Sequence, residues 1–361
     1  MATGTARGTV RARVPVLPTT VVGSYPVPEW MERLKTDHSR GRMSYSQLQD
    51  VHDMAIKAAL RDQDLAGIDI VSDGELRRDN DIDYTLARMP GIEIPDPVKD
   101  FYFDYHEARV AALPAPTGPS PLGLAADYAF TSGQTAAPIK FSFTGPFSLA
   151  CRVHERGPVS RRDLVMAMAA VLNAEARALA EQGAELLQID EPFLAGHTGQ
   201  IGLAVDAVNV VTAGVDVTWA LHVCYGNRYA RPSWEGHYDF LFPEVLDADI
   251  DQLVLEFARK GDDDLTIIEK FGWRGDLGLG VVDVKTSGVE PPELIATRIR
   301  RALRHVPAER LMINPDCGLR NVTGATARAK LAAMVRGTRI VRDELTASTE
   351  TTEAILEGVT S

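Results

Sequence analysis

His222 and Cys224 stand two positions apart in the run VTWALHVCYG (217–226). On an extended strand, residues i and i+2 point to the same face. Imidazole and thiolate are the donors a zinc ion prefers. Two donors make half a site, and two further residues are placed to complete it. Glu256 lies in the apolar run DQLVLEFA (251–258), where a buried carboxylate needs a partner. Cys317 lies at the end of RLMINPDCG (310–318). Taken singly, each has a plainer reading: an H-x-C pair on a strand is usually packing or chance, and a buried cysteine usually serves as a small apolar side chain. Together, at the ends of separate strands, the four favour a metal.

Other reactive groups cluster at similar positions. Ser24 ends TTVVGS (19–24), and Asp73 and Glu75 end IDIVSDGE (68–75). Asp190 and Glu191 end LLQIDEP (186–192), Asp283 and Lys285 end LGLGVVDVKT (277–286), and Asp316 precedes Cys317. The alternatives are structural. Asp190-Glu191 could cap the next helix, Glu75 could pair with Arg77 or Arg78, and Lys285 could donate a proton, hold an anion or pair with Asp283. Cys151 is expected to have no redox role, and His154 and His237 to be surface or packing residues.

These groups need a frame. With PIKFSFTG (138–145), the runs above make eight candidate strands. They are nearly continuous apolar stretches, as parallel strands covered on both faces require. Helical patterns lie between them. Residues 46–67 lead into the second strand, and 160–183 lead into the fourth with Gly183 as a stop. Residues 291–307 start with prolines suited to a first turn, and a last helix runs from about Ala325 to Glu344. Eight alternating units predict an α/β fold, a closed (β/α)8 TIM barrel whose active site is built from the C-terminal ends of its strands. Two stretches break the rhythm, residues 96–137 after strand two and 227–243 after strand five. Long ordered insertions are more often functional than idle. The expected organisation is a disordered leader over 1–16, a single catalytic barrel over 17–346 and a C-terminal tail over 347–361.

Composition narrows the function classes. The chain has 361 residues, 45% of them hydrophobic, a formal net charge of −12 and three cysteines. Such an acid balance without a basic stripe disfavours nucleic acid and anionic membranes; RIRRALRHVP (298–307) reads as a solvated helix face. No apolar run is long enough to span a bilayer. The arginines near the N-terminus have no apolar stretch behind them, unlike a secretory signal. Three cysteines do not suggest a disulfide framework, and the cytoplasm is the expected compartment.

The segments LPTTVVGSYP (17–26), DGELRRD (73–79), LQIDEP (187–192), HVCYGN (222–227) and INPDCGLRN (313–321), the last with PAERL just before it, resemble the C-terminal catalytic barrel of the cobalamin-independent methionine synthase family. The resemblance spans nearly the whole chain. It implies Zn2+ held by His222, Cys224, Glu256 and Cys317, with Ser24, Glu75 and Asp190 binding the amino-acid part of a thiol substrate such as homocysteine. It further implies S-methylation to methionine, with methyltetrahydrofolate or a methyl-corrinoid protein as donor. Three departures accompany it. The full-length family enzymes have two barrels, and this chain has length for one. The family's proton-donating histidine aligns with Lys285, which with Asp283 is the expected catalytic pair. An acidic residue and a tryptophan on the family's folate side align with Gly196 and near Arg152. The thiol half of the site is therefore expected to be intact and the methyl-donor half altered. Two other readings compete: alkyl transfer to a different thiol, as in the epoxyalkane–coenzyme M transferases, and a non-catalytic zinc-binding barrel. The clustered carboxylates argue against the latter, since a structural zinc needs none of them.

Overall fold

The computed structural model describes residues 10–78, 80, 82–94, 98–99, 104–105, 108–154, 159–261 and 263–359. Its centre is a parallel sheet of six strands, in spatial order β8-β7-β6-β5-β4-β3: β3 (Lys140–Thr144), β4 (Leu186–Asp190), β5 (Thr218–Val223), β6 (Gln252–Glu256), β7 (Asp276–Val282) and β8 (Leu311–Pro315). Two short segments close the ring. Thr19 bridges Ile313, Thr20 bridges Ile70, and Val71 bridges Ile139, all in parallel. Residues 19–20 (β1) and 70–71 (β2) are thus the first two staves, each reduced to bridge pairs, and the fold is the expected (β/α)8 barrel.

The apolar runs follow from burial on two sides. Leu187, Ile189, Leu221, Leu253, Leu255 and Leu279 face outward into the main core under the helices. Val22, Ile70, Leu186, Ala220, Val254 and Met312 face inward and pack as a separate cluster inside the barrel. Helices begin and end on chemical signals. Ser44 and Gln47 form a reciprocal capping box on Tyr45–Ala66, which stops at Gly67 with φ 82°. Ser160 accepts from the Asp163 N–H at 3.1 Å to start Arg161–Glu181. The apolar helix Ile201–Thr212, between β4 and β5, lies outside the helical segments read from the sequence.

The chain ends differ from expectation. Residues 1–9 and 360–361 lie outside the described residues, but 10–16, expected as part of a disordered leader, are placed against the barrel. Val10 is 4% exposed and joins the interior cluster. Arg11 donates to Asp276 Oδ2 at 2.7 Å and to the Leu311 carbonyl at 3.0 Å, at the starts of β7 and β8. This segment therefore plugs the floor of the barrel. The last helix, Gly324–Val359, runs through most of the expected tail.

The insertion at 96–137 falls partly outside the described residues. Within it, Val98–Lys99 pairs antiparallel with Asp104–Tyr105, and Leu124–Ser132 is helical. The buried Glu175 carboxylate anchors its end, accepting from Ser120 Oγ and from the backbone N–H groups of Leu122 and Ala125.

Candidate metal centre and thiol pocket

Strand pairing sets the metal donors side by side. Asp190 lies in register with His222 on β5, and Cys224 follows that strand by one residue. Cys317 comes two residues after β8. One ligand atom each from His222, Cys224 and Cys317 lies within 4.8 Å of the others. The two sulfurs are 3.6 Å apart, and His222 is 3% exposed. The imidazole is oriented for ligation: Nδ1 sits 3.1 Å from the Val254 carbonyl, which fixes it as the N–H donor, while Nε2 is buried with no conventional hydrogen bond. A buried imidazole nitrogen with a free lone pair beside two sulfurs is a donor set that fits zinc.

Electrostatics agree. The hydrogen bond with Cys224, aided by His222 and Lys285, pulls the Cys317 thiol well below its ordinary pKa. The Cys317 contact and burial push Cys224 well above its own.

Glu256 does not join the three. Its Oε2 accepts from Lys285 Nζ at 2.5 Å, its Oε1 accepts from the Tyr225 N–H at 3.3 Å, and Arg259 is 3.6 Å away. The four-ligand expectation therefore meets the structure in three residues, with the fourth engaged by a lysine. The same contact engages Lys285, the expected proton donor. Burial alone would lower its pKa, but Cys317 and Glu256 more than offset that and raise it above the ordinary lysine value. Lys285 is held against Glu256 beside the centre. Asp283, its expected partner, shapes the turn by accepting from the Lys285 N–H at 2.8 Å; neither residue lines the pocket. Asp316, beside Cys317, accepts from the N–H groups of Phe257, Ala258 and Arg259 at 2.8–3.0 Å, clamping the loop after β6, and burial pushes its carboxyl up to about 7.

Above the centre opens a cleft of about 700 Å³ lined by His222, Cys224 and Cys317 together with Ser24, Glu75 and Asp190. The structural alternatives for the carboxylates resolve by pairing. Asp73 takes Arg78 in a bidentate pair at 2.5 and 3.0 Å, and Arg77 pairs with Asp53 and Asp127. This leaves Glu75 facing the cleft, with Ser142 Oγ donating to its Oε1 at 2.6 Å. Glu75 has φ 55°, left-handed backbone that a non-glycine residue adopts at a cost, as functional residues often do. Glu191 caps a helix, but a different one from that expected: it accepts from the N–H groups of Phe147 and Ser148, at the start of Pro146–Cys151 after β3. Asp190 alone turns into the cleft, where burial and Glu75 hold its carboxyl well above the usual range.

The opposite wall contains a residue that sequence reasoning missed. Trp234, from the insertion after β5, packs edge-on against Phe193 with ring centroids 5.6 Å apart. A Cβ at Gly196 would come 2.1 Å from the Trp234 ring, so glycine there makes room for the indole. The Arg152 guanidinium lies 5.1 Å from the Phe193 ring centroid on the same wall. Arg228 and Arg320 also line the cleft. The strand-end pattern could not reveal Trp234, because it comes from an irregular loop. That loop is held by the Ser233 and Trp234 N–H groups donating to the Tyr225 carbonyl.

Fold and site together define a TIM-barrel enzyme with a His/Cys/Cys centre at the C-terminal mouth and two carboxylates beside it. Residues 17–339 match the catalytic-domain model of the cobalamin-independent synthases. The chain is 32% identical to a methionine synthase of Sulfurisphaera tokodaii over 92% of its own length and 94% of that protein's. It is 33% identical to one from Saccharolobus solfataricus over 92% and 97%. A solved B12-independent methionine synthase from a Shewanella species, in complex with selenomethionine, superposes with a TM-score of 0.79 at 26% identity, covering 92% of this chain and 100% of that one. The chain belongs to the cobalamin-independent methionine synthase family and is a methyltransferase. Its single-barrel length is shared by these relatives.

Proposed function

We propose that the protein methylates homocysteine to methionine on a zinc ion held by His222, Cys224 and Cys317. The observation that carries this is the convergence of those three donors, with the lone pair of His222 Nε2 free, at the floor of a cleft walled by Glu75 and Asp190. When bound, zinc supplies the Lewis acidity that turns an incoming thiol, with an ordinary pKa near 8.5, into a nucleophile at neutral pH. The protein's own groups do the rest. Ser24, Glu75 and Asp190 bind the amino-acid end, the two carboxylates taking the α-ammonium. Bringing that cation to Asp190 offsets the burial that disfavours its charged form. The Val254 carbonyl keeps the His222 ring in its tautomer, and Lys285 balances charge while holding Glu256 back from the sulfurs. The related Shewanella enzyme binds selenomethionine, an analogue of the expected product, which supports the amino-acid site. Glu256 is positioned to exchange Lys285 for the metal if a fourth protein donor is needed before the thiol arrives.

The test is turnover. Methionine formation from homocysteine should vanish on chelation and return with zinc. Mercaptoethanesulfonate, which lacks the α-amino group, should bind at least tenfold more weakly by calorimetry. Equal binding of the two thiols would instead favour alkyl transfer to a different thiol.

A further inference from the structure

A turn at the edge of the cleft is built from residues that ill suit its shape. Arg228 and Arg231 bridge as an antiparallel pair, and the Arg231 N–H donates to the Arg228 carbonyl at 3.1 Å. The two residues between them, Tyr229 and Ala230, have φ 53° and 55°. Positive φ at both central residues is the mark of a type I′ turn, which asparagine and glycine fill at little cost. A tyrosine there is an outlier, because its Cβ crowds the backbone in the left-handed conformation. Leu17 and Glu75 are the other described non-glycine residues with positive φ, and each stands alone; only at Tyr229 and Ala230 do two such residues follow one another. Strain of this kind persists only where the surroundings hold it.

Here the base of the turn is held on two sides. Asn227 Nδ2 donates to the Gly318 carbonyl at 2.9 Å, and Asn321 Nδ2 donates to the Asn227 carbonyl at 2.5 Å, which ties the base to the loop that carries Cys317. On the other side Gly226, with φ 83°, lies so close to Ser233 that a Cβ would come 2.6 Å from its Oγ. What the strained tip achieves is the placement of one ring. Tyr229 lines the cleft yet is 69% exposed, so core packing does not hold it there. The Arg228 guanidinium lies over the ring, 5.4 Å from its centroid. The cleft lining divides by chemistry. Ser24, Glu75, Asp190 and the three metal donors offer ligating and hydrogen-bonding groups, which suit an amino-acid thiol, whereas Phe193, Tyr229 and Trp234 offer aromatic faces. At about 700 Å³ the cleft falls in the size class of pockets that enclose a drug-sized ligand, more room than homocysteine fills.

We propose that Tyr229 is a specificity-determining residue for the methyl donor: the strained turn holds its ring at the edge of the cleft, where it packs against the conjugated ring of the donor while the thiol lies at the metal donors. The inference deepens the methyl-transfer reading of this cleft and rests on it. Homocysteine has no ring, so an aromatic face adds nothing to its recognition. A donor that carries its methyl group on a conjugated heterocycle, a reduced pteridine or a corrin, presents one. An exposed tyrosine gains apolar contact when such a ring arrives, and it loses little freedom, because its backbone is already fixed.

The experiment compares zinc-loaded wild type, Tyr229→Asn, Tyr229→Phe and Ala230→Gly by steady-state kinetics and thermal melting. Monoglutamyl methyltetrahydrofolate and methylcobalamin are varied in turn at saturating homocysteine, and homocysteine is then varied at fixed donor. Asparagine tolerates the left-handed backbone, so Tyr229→Asn removes the ring and keeps the turn. Its expected result is a KM raised about three- to tenfold for at least one donor, a KM for homocysteine within about twofold of wild type, full zinc content and a melting temperature at or above wild type. Tyr229→Phe, which keeps the ring, should recover most of the loss. Ala230→Gly relieves the neighbouring strain at a residue that does not line the cleft; it should melt higher and keep both KM values. The donor whose KM moves is the one whose ring Tyr229 meets. Wild-type KM for both donors in Tyr229→Asn would overturn the proposal. So would a matching rise for homocysteine, a lowered melting temperature, or a loss in Tyr229→Phe as large as in Tyr229→Asn. Failure of the wild type to methylate homocysteine from either donor would instead remove the methyl-transfer reading, and this inference with it.

Discussion

At the scale of single residues, the centre depends on which atoms are left unpaired. His222 spends Nδ1 on a carbonyl and keeps Nε2; Asp73 and Glu191 are consumed by Arg78 and by backbone N–H groups, while Asp190 faces the cleft. Glu75→Gln and Asp190→Asn should each weaken homocysteine binding by about 1.5–3 kcal/mol, the scale of a hydrogen bond to a charged group, measurable by calorimetry on the zinc-loaded protein. Lys140 carries a stability prediction. Its folded pKa, about 7, lies below the ordinary lysine value of 10.5. Between those two pH values the unfolded chain holds a proton that the folded chain has released, so stability rises with pH across that window, and the cost of the buried charge is full below it. Lys140→Met should therefore melt at a higher temperature than wild type at pH 6, with the gap closing toward pH 10. A gap that is independent of pH would contradict this assignment. The approach of His222 and Cys224 was legible in the sequence because a strand's period of two places them on one face. The Lys285–Glu256 pair was not, since contacts between the ends of different strands depend on side-chain reach, which spacing does not encode.

At the scale of elements, the barrel's floor and mouth are built by segments without regular patterns. The eight staves were readable from apolar runs, although β1 and β2 shrink to bridge pairs. The leader 1–16, with arginines and no apolar stretch behind them, is expected to be disordered, yet within it Arg11 finds Asp276 and a β8 carbonyl. Arg11→Ala should cost about 1 kcal/mol in urea denaturation, the worth of a partly exposed ion pair with an added hydrogen bond. At the mouth, Trp234 occupies the space over Gly196. Trp234→Ala should reduce the apparent affinity for the methyl donor by about three- to tenfold, the value of an aromatic contact, and leave zinc content and homocysteine binding unchanged. Equal losses for donor and thiol in steady-state kinetics would instead make the indole a general packing residue.

At the scale of the whole molecule, the described residues form one barrel with the cleft at its mouth. Remote binding energy positions a reacting centre, and the wall around Gly196 and Arg152, where the family resemblance departs, is built here from Trp234, Phe193 and Arg152. A polyglutamate tail should then matter little. In assays at saturating homocysteine, mono- and triglutamyl methyltetrahydrofolate should react slowly and alike, and methylcobalamin or a methylated corrinoid protein faster. A clear triglutamate advantage with brisk methionine formation would place the chain with ordinary folate-dependent synthases. No described helix is long and apolar enough to cross a membrane.

The central claim, that His222, Cys224 and Cys317 hold the zinc that takes the substrate's sulfur, is tested most directly by zinc-edge X-ray absorption on protein purified without chelators, with and without homocysteine. The predicted result is about one zinc per chain bound by two sulfurs and an imidazole, a third sulfur appearing with homocysteine, and most of the metal lost in Cys317→Ser. Full zinc retention in both Cys224→Ser and Cys317→Ser, or a coordination shell that homocysteine leaves unchanged, would contradict it.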